Sequence, residues 1–254
     1  MRFLMQTDRE ISSVERAALY MPDKPCVRAS LAGIEAATAD RQLCPVGSVE
    51  FVRAWINHLG LKEPQPVDYP VVLREFMGRN LLRFDDPKQI PLITSFPVFI
   101  KPVATKAWTG FVAKERGEVV SLTGPVWVSD VVEFHEEYRV YVKGGHILFA
   151  SRYDEFEDGY EDPPVTVMDA VRHMIDSLAS QLFETGPWLS PVYAIDIGIC
   201  KDGQVRLVEI TDAWACGLYK PNTTRYPHYR RDYFDWLYAR WSQIAWLSAS
   251  QVNP

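Results

Sequence analysis

The run Lys201-Asp202-Gly203-Gln204, set between two alternating apolar and polar stretches, constrains the fold of this chain more than any other segment. Asp-Gly favours a two-residue hairpin turn, because both central positions need positive φ. Pairing Lys201 with Gln204 makes Ile197 meet Val208 and Asp196 meet Glu209. Ile195, Ile197, Ile199, Val208 and Ile210 then share the face turned to a core, and both carboxylates share the other. Like charges directly opposite in a sheet repel, so the pair wants a cation or a proton between them; two solvated acids on an exposed face are the alternative. Gly198 leaves open space beside the pair. On this reading, removing the Asp196 charge relieves repulsion and leaves the metal-free fold intact or more stable.

A second hairpin follows the same logic. In "EEYRVYVKGGHILFASRY" the Gly144-Gly145 turn pairs Lys143 with His146, which places Glu137 opposite Arg152 and Arg139 opposite Ala150. Glu137, Arg139, Arg152 and Tyr141 then share one face, against Tyr138, Val140, Val142, Ile147 and Phe149 on the other. A cross-strand salt bridge accounts for Glu137 and Arg152 but leaves Arg139 without an evident partner. Two arginines beside one carboxylate suit an anion lying over that face, since guanidinium donors match phosphate and carboxylate oxygens. Lys101 in "FIKP" emerges from a short apolar run, and Lys106 in "TKAWTG" lies in a loop whose Thr109 and Gly110 can approach a phosphate.

The chain has 254 residues with a net charge of -6, which argues against nonspecific binding to nucleic acid or an anionic membrane. Cys26, Cys44, Cys200 and Cys216 form no CxxC pair and no metal spacing, so reduced thiols are the simplest reading. With no secretory pattern and no membrane-length apolar stretch, a cytoplasmic location is expected. "GSVEFVRAWINHLG" reads as a helix capped by Ser48 and stopped by Gly60. "LKEPQPVDYP" reads as a linker, after which "VVLREFMGRNLLRF" resumes a helical pattern. Strand-rich sequence follows from "PVFIKPV", with an amphipathic helix in "TVMDAVRHMIDSLASQLFE" and a closing aromatic helix in "RDYFDWLYARWSQIAWL". The order suggests α+β with largely antiparallel sheets.

Taken together, the ordered segments "FIKP", "TKAWTG", "SDVVEFHEEYRVYV", "FASRY", "AIDIG" and "LVEITDAWACGLY" resemble the ATP-grasp superfamily, nearest a divergent subfamily of amide-forming ligases that also resembles the upstream "CPVGSVEFVRAW". The resemblance implies two α+β subdomains, residues 71–130 and 131–254, gripping ATP, preceded by a small α/β domain at 1–70. It makes Lys101 a nucleotide contact and gives Arg79 the approximate place of an earlier phosphate-binding lysine. Asp130, Val131, Val132 and Glu133 match the adenine hinge, and Glu137 matches the acid that binds ribose hydroxyls. Arg139 and Arg152 match arginines facing the transferred phosphate and the substrate carboxylate, and Asp196 and Glu209 match Mg²⁺ ligands. Thr211 stands where the family usually has asparagine, a neutral oxygen of shorter reach.

The implied reaction is ATP-dependent joining of a small-molecule or peptide carboxylate to an amine through an acyl phosphate. Lys101 and Lys106 would hold the phosphate chain, and Arg139 and Arg152 would stabilise the intermediate. "ITDAWACGLYKPNTTRYPHYRR" follows the metal strand and would receive the substrates, with Trp214, Tyr219 and Lys220 as contacts or as ordinary loop packing. Alternatives are phosphoryl transfer to a small molecule, or a nucleotide-binding module without turnover.

Overall fold

A computed structural model describes residues 1–8, 25–93, 95–153, 162–185 and 190–247. Three sheets organise them. The first is parallel, in the order β2-β1-β3, from β1 (Arg2–Gln6), β2 (Cys26–Ala29) and β3 (Leu43–Val46). Helix α1 (Val49–His58) packs on it, starting where the Ser48 hydroxyl accepts from the Phe51 N–H at 3.2 Å. Phe51, Val52, Trp55 and Ile56 are its buried stripe, and Gly60 at φ 62 lets the chain turn out of the helix.

The helix expected after the proline-rich stretch looks different in the structure. "VVLREFM" forms a 3-10 turn (Val71–Leu73) and one α turn (Arg74–Met77), stopped by Gly78 at φ 57. The rest of that helical pattern is strand β4 (Leu81–Phe84). With β5 (Val98–Pro102), β6 (Phe111–Ala113) and β7 (Val126–Ser129) it makes an antiparallel sheet in the order β4-β7-β5-β6.

The third sheet, β11-β10-β8-β9, is antiparallel: β8 (Phe134–Lys143), β9 (His146–Arg152), β10 (Val192–Cys200) and β11 (Val205–Asp212). Tyr138, Val140, Ile195, Ile197, Leu207 and Ile210 point from one face onto α2 (Val165–Thr185), whose Val167, Val171, Met174, Ile175 and Leu178 recur at helical spacing. Tyr141, Phe149, Val192 and Ala194 point from the other face onto α3 (Tyr229–Leu247) and the N-terminal sheet. Along β8 and β10 that second face turns from apolar to charged, from Tyr141 to Arg139 and from Ala194 to Asp196.

Both hairpin registers depart from the sequence expectation. The Asp202-Gly203 hairpin closes with a three-residue loop, 201–203: Cys200 N–H donates to Gln204 O at 2.9 Å, and Gly203, at φ 80, donates to Cys200 O at 2.8 Å. Ile197 therefore meets Leu207, not Val208, and Gly198 meets Arg206. A bulge between Asp196 and Ile197, with Val208 as the extra residue, then restores Asp196 opposite Glu209. The Gly144-Gly145 turn has the expected pair of positive φ values, 58 and 78, but a bulge follows it. Leu148 is the extra residue, so Arg139 meets Ser151 and Tyr138 meets Arg152. Arg152 thus lies on the Tyr138 face, away from Arg139.

Candidate active site

A cleft of about 900 Å³ opens between the central and C-terminal sheets, within the range of small-molecule sites. Its lining takes Asp68, Arg79, Lys101, Lys106, Asp130, Val131, Val132, Glu137, Glu209 and Thr211. All but Asp68 are residues expected from the sequence. Glu133, Arg139, Arg152 and Asp196 do not line it. Glu133 sits out in solvent, its Oε2 accepting from Lys201 Nζ at 2.6 Å, a contact that holds its carboxyl below the usual range. Arg152 lies 3.9 Å from Glu136 on the opposite sheet face.

The opposed carboxylates of the β10-β11 hairpin do not face each other across an empty gap. Arg139 Nε and Nη2 donate to Asp196 Oδ1 and Oδ2 at 2.7 and 2.6 Å, the two-point geometry of an ionised pair. Asp196 is 1% exposed. Burial prevails at the Asp196 carboxyl, which stays raised against the downward pull of Arg139, while Asp196 more than offsets the burial that opposes charge on Arg139. The Arg139 guanidinium also lies over the Tyr153 and Tyr219 rings, at 5.3 and 5.2 Å. Nor does Gly198 leave open space: the Phe134 ring is seated so closely that a Cβ there would meet it at 2.2 Å.

Glu209 is held by Lys101, whose Nζ makes a short contact to Oε2 and also donates to Asp68 Oδ1 at 3.0 Å. Glu209 Oε1 accepts from the Thr211 hydroxyl at 3.2 Å. Against the upward push of burial, Lys101 holds the Glu209 carboxyl below the usual range; burial prevails at Asp68, whose carboxyl is raised. Burial also opposes the charge on Lys101, but Glu209 foremost keeps it well above the ordinary lysine range. Lys106, at φ 49, reaches across to the loop after β11, where its Nζ donates to Ala215 O at 3.0 Å. Tyr141 and Ser151 pin the same loop: the Tyr141 hydroxyl donates to Gly217 O and accepts from the Tyr219 N–H, and Ser151 donates to Tyr219 O.

Two of the residues expected at the adenine hinge and the ribose are also engaged. Asp130 Oδ2 accepts from the Asn80 backbone and side chain at 3.0 and 2.8 Å, and Glu137 Oε2 accepts from the Tyr153 hydroxyl at 2.7 Å. Asp212, which directly follows Thr211, binds Arg240 of α3 through both carboxylate oxygens and so is committed to the fold.

Arg79, expected to reach a phosphate, lines the cleft and also holds the bulge. Its Nη1 and Nη2 donate to Leu207 O at 2.8 Å and Val208 O at 2.9 Å, the carbonyls of the segment that aims Glu209. Arg79→Met is expected to lower stability by about 2–3 kcal/mol, the scale of losing charge-assisted hydrogen bonds. A urea unfolding curve displaced by less than about 0.5 kcal/mol would separate Arg79 from the bulge.

Among the described residues, no group of three or more His, Cys, Asp and Glu side chains gathers closely enough to cage a metal ion. Magnesium asks for less, because it is commonly held by one or two carboxylates plus substrate phosphates and water. Glu209 lines the cleft and its Oε1 accepts from a hydroxyl rather than from Lys101, which suits such a phosphate-borne ion, as does the neutral oxygen of Thr211. Asp196 suits it only after Arg139 turns away.

The residues missed in the sequence are those that act through these contacts. Asp68 and Tyr69 flank the Lys101 ammonium and Trp127 steadies Asp68: Trp127 Nε1 donates to Asp68 Oδ2 at 3.1 Å, and Lys101 Nζ lies 4.9 Å over the Tyr69 ring. The only available signal was an acid beside an aromatic in a proline-rich stretch, "PVDYP".

A family model described as "ATP-grasp domain, R2K clade family 3" matches residues 20–244. Among solved structures, the chain is similar to an ATP-grasp RimK domain protein from Sphaerobacter thermophilus, with 13% identity and a TM-score of 0.53, covering 95% of this chain and 99% of that one. It is similar also to the ATP-grasp ligase PsnB complexed with a phosphomimetic variant of minimal precursor, Mg and ADP: 11% identity, TM-score 0.50, 93% and 97% covered. The match to PsnB complexed with minimal precursor has 16% identity and a TM-score of 0.44, and covers 66% of this chain and 57% of that one. A search of curated proteins finds no match. No helix among the described residues is long and apolar enough to cross a membrane.

Proposed function

This chain belongs to R2K clade family 3 of the ATP-grasp domains, and we propose that it is an ATP-dependent ligase joining a carboxylate to an amine. In this reading residues 1–70 precede two subdomains, 71–130 and 131–254, that hold ATP in the cleft between them. The observation that carries it is the cleft itself: Lys101 and Lys106 from the central subdomain meet Glu209 and Thr211 from β11 across a cavity also walled by Phe99, Val131 and Phe134. The aromatic and aliphatic wall suits a base, and the lysines suit a phosphate chain.

The substrate carboxylate oxygen attacks the γ-phosphorus, the bond to the β,γ-bridging oxygen breaks, and ADP leaves. The amine then attacks the acyl carbon, inorganic phosphate leaves with the carbon-oxygen bond pair, and the nitrogen gives up a proton. Lys101 and Lys106 orient the phosphates. Arg139 does not line the cleft while it holds Asp196; released from it, the guanidinium would turn to meet negative charge growing at the acyl centre. Magnesium, when bound at Glu209 and Thr211, supplies charge neutralisation between phosphates. Asp130, Val131 and Val132 line the cleft beside Phe134 and would read the base edge, and Glu137 would accept from ribose. Carboxylate and amine can each be a small molecule or a peptide end.

Calorimetric titration of ATP with Mg²⁺, repeated with chelator, tests the reading. Saturable Mg²⁺-dependent binding, followed by amine-dependent ADP release in a carboxylate and amine screen, is expected. No binding in either condition overturns it. The closure of Asp196 by Arg139 favours one second reading, a nucleotide-binding module without turnover. Retained ATP binding with no ADP release across the screen would select that module.

A further inference from the structure

Asp68 connects the two sheets that wall the cleft. Its backbone carbonyl accepts from the Ile210 N–H of β11 at 2.8 Å, in an isolated bridge beside Glu209. Its side chain points the other way, accepting from Lys101 of β5 through Oδ1 and from Trp127 of β7 through Oδ2. The residue stands at φ 41, a left-handed conformation that costs a non-glycine residue energy and persists where surrounding contacts over-determine it. Here three contacts from two strands and one bridge do so.

The consequence is a charge arrangement with one cation between two acids. Lys101 is 13% exposed, with Asp68 at 16% and Glu209 at 28%. A lysine held by Glu209 alone would form a closed ion pair, and a metal seeking Glu209 would have to strand a mostly buried ammonium. With Asp68 present, Lys101 keeps a fixed partner when Glu209 turns to the metal.

We propose that Asp68 is a positioning residue that frees Glu209 for magnesium by serving as the second counter-ion of Lys101. The inference rests on the ATP-ligase reading of this cleft. Asp68 touches neither substrate nor metal in this scheme; it acts through Lys101. Its loss therefore has a signature that damage to the cleft would lack. Removing one negative charge does not weaken attraction for metal-free ATP, whereas it does close Glu209 against Mg²⁺.

The test is calorimetric titration of ATP into wild type, Asp68→Asn and Trp127→Phe, each with Mg²⁺ and each with chelator. Asp68→Asn is expected to weaken Mg²⁺-ATP binding at least about 5-fold, with binding in chelator unchanged or tighter. Trp127→Phe keeps the charge but frees Oδ2, and should show the same split at about 2-fold. Equal loss in both conditions, or unchanged Mg²⁺-ATP affinity in either variant, overturns the proposal. Should Asp68→Asn fail to fold, the Trp127→Phe pair of titrations decides alone. Wild type that binds no ATP would instead bring down the ligase reading, and wild type binding without Mg²⁺ dependence would bring down only the role of Asp68.

Discussion

Asp196→Asn is expected to lower folding stability by about 3–5 kcal/mol, because it leaves the mostly buried Arg139 guanidinium without its counter-charge. Domains of ordinary stability have roughly 5–15 kcal/mol to lose, so the urea midpoint should fall steeply. Asparagine keeps the shape and can still accept one hydrogen bond, which isolates the charge as the cause. The combined variant Asp196→Asn with Arg139→Met should recover much of the loss, since an apolar side chain in place of a buried charge is often neutral. A single variant as stable as wild type, or more so, would restore the picture of two repelling acids that the sequence suggests.

Lys101→Met should weaken Mg²⁺-ATP binding about 10- to 100-fold, the scale of one lost charge-assisted hydrogen bond. The same change leaves Asp68 and Glu209 opposed with no cation between them, so stability should fall as well. Calorimetry and an unfolding curve on the same preparation separate the two effects. ATP affinity within about 2-fold of wild type would remove Lys101 from the phosphate site.

The comparison of hairpins explains how much of this site was legible. Asp196 opposite Glu209 was read correctly from two departures that cancel: the loop is one residue longer than an Asp-Gly turn, and the Val208 bulge adds one residue back. In the other hairpin the turn was right and the Leu148 bulge uncompensated, so Arg152 was assigned to the wrong face. Turn chemistry is local and leaves glycine as its mark; a bulge is set by contacts far along the chain, here Arg79 on the carbonyls of 207 and 208. The α+β class and the antiparallel sheets followed from alternation, while the parallel N-terminal sheet did not contradict them. The Arg139–Asp196 pair joins strands 57 residues apart, and only the sheet order β10-β8 reveals it. Asp68 was hidden for a simpler reason, since Pro66 and Pro70 bracket it in a stretch with no alternation or helical spacing, and its partners Lys101 and Trp127 lie far along the chain.

The loop at 201–203 and the extra residue at Val208 also set which length changes this hairpin can survive. With Cys200 still paired to Gln204, shortening the loop by one residue gives a two-residue turn and leaves β11 in register with β10. Losing Val208 alone removes only the unpaired residue, so Ile197 still meets Leu207 and Asp196 still meets Glu209. The loop and the bulge are thus two independent places where this hairpin can lose a residue with its paired carboxylates kept in step, and its length is free to drift there between relatives.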